Sequence, residues 1–393
     1  MAKIGDIEEV FLQVLQEDNN KGEISSKIDN FTQNDWQTLV TLSIRSGLFP
    51  TFYTRLLNLN LRNIPSEFLF KLKKLYLQNL KRNIILEKEL RCILSVFKES
   101  NIPVIPLKGP ILARYLYGDL SLRQTSVDLD LLVHQENIKD AYIILKNFDY
   151  NPDKKITDAI HKFNNHEIRF YSTATSPKIS LVDLHWDICY KSISTHIKTL
   201  WKDVREIDLD GYSILVPSNE DLFLYLTLLS IFDYNSIQIR YLYDLHKLIV
   251  IFGKEINWEV LIGKARQFNL KTALYFSLKL SQELFDTDLP KGILATLRPP
   301  FIKEKVCELW INRTNILKIN RKVFWTYVLY YLINNYLCSD NIFDGTRMCY
   351  KKIFVSMEEA MWICNQPLSK VSYSLYIKRL LDPFITSLKN GIN

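Results

Sequence analysis

The sequence predicts an α+β protein, with a mixed β-sheet core carrying its own helices and all-helical regions on the N- and C-terminal sides. Three observations predict this. Apolar residues recur at helical spacing up to about residue 98, short apolar runs punctuated by Pro and Gly take over from 99 to 217, and helical spacing returns after 218. The chain therefore divides into a helical region at 1–98, an α/β core at 99–217 and a helical domain at 218–393. At 393 residues it exceeds the roughly 100 to 200 residues of one ordinary domain, in keeping with that division.

Each element has its own signal. Leu86, Leu90, Ile93 and Phe97 stand four, three and four apart and share one helix face, while "DNFTQNDWQTLVTLS" has helix-start chemistry before an apolar series. The run "KLKKLYLQNLKR" at 71–82 alternates lysines with leucines like the wet face of an amphipathic helix, and nucleic-acid binding is the weaker reading of it. In "NIPVIPLKG", Pro103 and Pro106 oppose a helix, whereas Val104, Ile105 and Leu107 favour a strand that turns at Gly109. A helix, "PILARYLYG", follows with Pro110 in its first turn. Then come the strand "VDLDLLV", the helix "QENIKDAYIILKNF", strands in "HEIRFYS" and "ISLVDLHWDI", and a hairpin in "EIDLDGYSILV" closed by Asp210-Gly211. Ser218 and Asp221 have capping-box spacing at the head of the first C-terminal helix, and further breaks fall at "LRPPF" and "NQPLS".

Composition narrows the class. Hydrophobic residues make up 47% and charged residues 24%, a profile that builds a core rather than a disordered chain. Lys and Arg number 50 against 43 Asp and Glu; the resulting +7 suits a polyanionic ligand such as a nucleotide and equally serves solubility. The six cysteines show no CxxC pair and no metal spacing with the histidines, so they read as reduced thiols of a cytoplasmic protein with no disulfide-linked partner. No secretory leader is visible in "MAKIGDIEEVFLQ". The most apolar runs, at 222–232 and 323–337, fall short of the roughly 20 residues of a bilayer span, so the expectation is buried helices and no membrane partner.

Asp128 and Asp130 are the anomaly in this pattern. Strand side chains alternate, so both acids share a face while Leu129 and Leu131 point into the core. Two carboxylates so placed repel unless a cation bridges them, and hard oxygen ligands suit Mg²⁺, which completes its shell with water and substrate phosphates. A third acid, Asp183, sits in another apolar strand, with His185 and Asp187 on its face. Before them, "LKG" ends a strand and opens a helix, so backbone N–H groups near Gly109 and the charge of Lys108 can meet an anion, and Arg123 can clamp phosphate oxygens. His166 and Glu167 open a neighbouring strand; His166, His185 and Asp187 also read as ordinary structural residues, and His246 as a core position.

The motifs "PLKGPILARYLYGD", "LRQTSVDLDLLV", "HEIRF" and "LVDLHWDI" resemble those of the uncharacterised nucleotidyltransferase family, within the polymerase-beta-like superfamily. "SNEDLFLYL", "IRYLYDLHKLI" and "SLYIKRLLDP" extend the resemblance loosely over most of the chain. Two departures stand out: Arg123 lies five residues before Asp128 rather than four, and the first C-terminal helix lacks a histidine that the family often has there. The resemblance implies an enzyme that moves a nucleoside monophosphate, AMP from ATP or its equivalent from another triphosphate, onto an acceptor hydroxyl. It implies Asp128, Asp130 and Asp183 as catalytic ligands of two Mg²⁺ ions, and Lys108, Gly109 and Arg123 as holders of the nucleotide. The acceptor, whether small molecule, peptide or protein, or RNA, stays open. Two rival readings also stay open: a nucleotide-binding regulator without turnover, and a helical interaction protein.

Overall fold

Helices form where apolar residues stand three and four apart, and a few of them begin at side-chain caps. The computed structural model describes residues 4–17, 20–153, 167–172, 181–188, 200–231 and 237–311, with isolated positions at 316–317, 339–341 and 346. Five helices come first: α1 (Ile4–Leu15), α2 (Lys21–Ile28), α3 (Gln33–Arg45), α4 (Phe49–Asn58) and α5 (Ser66–Glu99). Asn20 caps α2, and Thr32 and Asp35 form a reciprocal capping box at the head of α3. The 34 residues of α5 serve two cores in turn: Phe68 and Leu72 pack with the first helices, and Leu86, Leu90, Ile93 and Phe97 pack beneath the sheet.

The α/β part follows in the expected order: β1 (Val104–Pro106), α6 (Pro110–Tyr117), β2 (Asp128–Val133), α7 (Ile138–Asn147), β3 (Tyr150–Pro152), β4 (Glu167–Ser172) and β5 (Leu181–His185). The sheet order is β1-β2-β5-β4-β3, with β2 and β5 parallel and the other pairs antiparallel. β3 is the strand that periodicity does not announce; it is three residues long and ends in proline. Its place at the sheet edge explains the tolerance, because an edge strand has one side on which a missing N–H breaks no ladder. The Asp210-Gly211 hairpin joins β6 (Arg205–Leu209) to β7 (Tyr212–Val216), both turn residues having positive φ, 55° and 80°, as a two-residue type I′ turn requires.

Six more helices are described: α8 (Asn219–Ile231), α9 (Ile239–Phe252), α10 (Trp258–Gln267), α11 (Lys271–Phe285), α12 (Ile293–Leu297) and α13 (Phe301–Trp310). At the head of α8 the Asp221 N–H donates to the Ser218 hydroxyl, which donates in turn to the Asp221 carboxylate, and the Pro-Pro break separates α12 from α13. His166, the helix expected at 323–337, the break at 365–369 and the motif "SLYIKRLLDP" lie outside the described residues. No helix among the described residues is long and apolar enough to cross a membrane, and Cys92 and Cys307 are free thiols. One apolar cluster joins α1–α4 to α8–α13; the second lies between the back of the sheet, α7 and the far half of α5. The helices α1–α4 and α8–α13 thus share a core, on which the sheet is mounted.

His246 belongs to that core, on α9. It is buried, with Nδ1 2.9 Å from the Thr287 hydroxyl, and burial pushes its pKa down from 6.5 to about 4. The unfolded chain therefore takes up this proton first, so stability is full above pH 6.5 and falls as pH drops toward 4. The loss amounts to on the order of 3 kcal/mol once both states are protonated. His246→Asn is expected to flatten that part of a urea-denaturation series against pH; a slope unchanged from wild type would remove His246 as its cause.

Candidate active site

The sheet register builds the site. Asp130 on β2 is the direct partner of Asp183 on β5, and Asp183 is the direct partner of Arg169 on β4. Directly paired residues project to the same side, so the three form one row across three strands. A second row holds Leu132, His185 and Glu167, and Asp128 stands two residues from Asp130 on the same face. The alternate residues Leu129, Leu131, Val182, Leu184, Ile168 and Phe170 are buried on the opposite side, which pins the register: a one-residue slip would put the acids into the core.

The acids are held by a dense set of partners. Lys108 Nζ and His185 Nε2 both lie 3.1 Å from Asp130 Oδ1, and Glu167 Oε2 is 3.5 Å from His185 Nδ1. Arg169 donates through Nε and Nη2 to the two oxygens of Asp183 at 2.8 and 2.9 Å. Burial alone would raise the Asp130 carboxyl, but Lys108 and His185 outweigh it and hold the group well below the usual carboxylate range. Burial pulls His185 down, and its bond to the Asp130 carboxylate more than reverses this, leaving its pKa raised. Burial pushes the Asp183 carboxyl up against the pull of Arg169, with Glu167 adding to the push. Asp183 is thus a carboxylate of more than ordinary basicity, fixed in direction by a guanidinium.

The approach to this row is set by α5 and by one glycine. The buried Asn79 and Asn83 of α5 donate to the carbonyls of Leu120, Ser121 and Arg123, which suspends the segment before β2 from that helix. Gly109, between β1 and α6, has φ 71° and ψ −134°, a conformation open in practice to glycine, and a Cβ there would meet nothing within 4 Å. The glycine is therefore needed for backbone shape and leaves free space above the turn.

The structure brings together Lys108, Asp128, Asp130 and Asp183, with Gly109 in the turn beside Lys108; it does not bring Arg123. The Arg123 side chain is buried away from the acids, with Nε and Nη2 bonded to Asp244 of α9 at 2.8–3.1 Å, and Tyr117 donates to the same carboxylate. The expectation that Arg123 clamps phosphate is corrected on this point: its fork already holds a carboxylate, which no spacing argument could locate 121 residues away. Arg169 is the site residue that sequence reasoning missed. Its signal was an arginine in the middle of an apolar strand, within the motif "HEIRF". Asp187 bonds the adjacent Ile188 N–H at 2.8 Å, in line with a local structural role.

A divalent cation fits these residues. Asp130, Asp183 and His185 turn one ligand atom each to within 4.8 Å of one another. Asp130 Oδ2 and Asp128 Oδ1 are buried and have no hydrogen-bond partner among the described residues, an expensive state for carboxylate oxygens that a bound cation would relieve. Asp128 lies one step outside the tight trio, and His185 stands where the sequence pattern leads one to expect only oxygens.

A family model described as an uncharacterised nucleotidyltransferase matches residues 32–286 of the chain. Among solved structures, the antibiotic-resistance factor ANT(2'')-Ia is similar with a TM-score of 0.33 and 14% identity, over 52% of this chain and 98% of that one. An antigenic nucleotidyltransferase-like protein from Paracoccidioides brasiliensis is similar with a TM-score of 0.31 and 16% identity, over 48% of this chain and 92% of its own. No curated protein matches.

Proposed function

The chain belongs to the uncharacterised nucleotidyltransferase family and is a transferase enzyme; from that premise we propose that it transfers a nucleoside monophosphate, AMP from ATP, to an acceptor hydroxyl with release of pyrophosphate. The observation that carries this reading is the placement of Asp128 and Asp130, with unpartnered oxygens, beside Asp183 and the Lys108-Gly109 turn.

Asp128, Asp130 and Asp183 are the residues that would hold two Mg²⁺ ions, whose chemistry is to acidify the acceptor hydroxyl and to neutralise charge on the leaving group. Lys108, now on Asp130, turns to the β and γ phosphates when the nucleotide enters, and the turn at Gly109 offers its backbone to the same oxygens. Asp183, aimed by Arg169, takes the proton of the acceptor hydroxyl. The hydroxyl oxygen then bonds to the α-phosphorus as the bond to pyrophosphate breaks. His185 keeps Asp130 ionised and oriented through the oxygen it shares with Lys108.

Calorimetry with ATP, GTP, CTP and UTP tests this directly. The wild type is expected to bind one triphosphate in the presence of Mg²⁺, and Asp128→Asn/Asp130→Asn to lose at least tenfold in affinity, about 1.4 kcal/mol. Absence of binding to every triphosphate would sink the transferase mechanism, and binding without pyrophosphate release in any acceptor mixture would move the protein to the class of nucleotide-binding regulators.

A further inference from the structure

A cavity lies at the far end of α6 from Gly109, about 10 Å along the helix axis. It has a volume of about 490 Å³ and opens between α4, the end of α6 and α9, with Arg55, Leu59, Tyr117, Leu122, Tyr243 and Lys247 among its walls. None of these residues belongs to the acid row.

Its polar groups are built but incomplete. Tyr243 is fully buried with its hydroxyl beside Arg55, which can only donate, and its own proton has no acceptor among the described residues. Burial pushes that hydroxyl up to about 12 against the opposing charge of Arg55, so it keeps a proton to donate. Lys247 follows one turn later on the same face of α9, half-buried, with no ion pair among the described residues; burial lowers its pKa, Glu17 opposes this at longer range, and Arg55 pushes the same way as burial. Glu17, the one acid in the wall, is bonded to Arg55 at 2.5 Å. Two cations and an orphaned donor therefore share a single carboxylate, while Leu59, Leu122 and the ring of Tyr117 supply apolar wall.

We propose that this cavity binds a phosphomonoester of small-molecule size, its dianionic head on Lys247, Tyr243 and the outer edge of Arg55, and its body against Tyr117, Leu59 and Leu122. A doubly charged head answers the charge imbalance, and the volume exceeds what a bare phosphate fills. The site is separate from the transfer site, so the proposal stands or falls independently of the reaction assigned above.

The test uses phenyl phosphate and benzoate as probes, titrated by calorimetry into the full chain with the divalent metal chelated. Phenyl phosphate is expected to bind the wild type and Lys108→Met equally, to weaken at least tenfold in Lys247→Met and several-fold in Tyr243→Phe, and to outbind benzoate at least tenfold. The tyrosine change removes one hydroxyl and nothing else, so it separates a lost ligand contact from a lost fold. No binding at millimolar phenyl phosphate, undiminished binding in Lys247→Met, or loss in Lys108→Met would overturn the proposal; equal binding of benzoate would overturn its dianionic class.

Discussion

Asp183→Asn is expected to lower the rate of nucleotidyl transfer by roughly 10³-fold or more while leaving triphosphate affinity within a few-fold of wild type. The residue combines two duties in the proposed mechanism, metal ligand and proton acceptor, and asparagine performs the second not at all. The fold should survive, because the only ion-pair partner described for Asp183 is Arg169, whose side chain is 41% exposed and can turn to water. The nucleotide keeps Lys108, the Gly109 turn, Asp128 and Asp130. Arg169→Met should fall between, with the carboxylate present but unaimed, and should lose roughly 10- to 100-fold in kcat with little change in KM. Single-turnover rates with a saturating triphosphate would check both; an Asp183→Asn enzyme that retains a tenth of wild-type turnover would remove Asp183 from catalysis.

The largest stability effect is expected at Arg123. Its side chain is 3% exposed and that of Asp244 is 0% exposed, so Arg123→Met strands a carboxylate in the core. Breaking one side of a buried pair costs about 3–5 kcal/mol, because the remaining charge has neither water nor partner. Tyr117 alone, donating at 2.7 Å, cannot neutralise it. The double change Arg123→Met/Asp244→Leu removes both charges and should recover most of the loss in urea denaturation. If the double variant is no more stable than the single one, the penalty arises from packing and the ion pair is not its source.

Arg123 also marks where the sequence stops being informative. Strand and helix positions were legible because they depend on neighbours a few residues apart: the alternation in "VDLDLLV", the Asp-Gly turn, and the leucine spacing of α5 all appear as read. The pairing of acids on one sheet face was legible for the same reason, since period two alone puts Asp128 and Asp130 together. Side-chain partners across long separations were not. An arginine five residues before a metal-type motif looks like a phosphate clamp until α9 supplies Asp244, and Arg169 looks like an ordinary strand residue until antiparallel pairing of β4 with β5 sets it on Asp183. His185 reads more readily as a structural histidine than as a functional one until parallel pairing brings its ring to Asp130.

The suspension of the pre-β2 segment from Asn79 and Asn83 has a consequence for the order in which the chain assembles. The anchor is made first: α5 leaves the ribosome before the segment it holds, and β5 follows the end of α5 by about eighty residues and Arg123 by about sixty. Chains synthesised from the N-terminus can use early helices as templates. The donors that Leu120, Ser121 and Arg123 use on α5 already exist when these residues emerge, so the segment before β2 can be anchored before β5 has been made. The parallel contact between Asp130 and Asp183 waits for a long loop to close, the slow kind of step in β assembly. During vectorial synthesis the approach to the acid strand can thus be anchored well before the third carboxylate exists, and the complete cluster is a late product of folding.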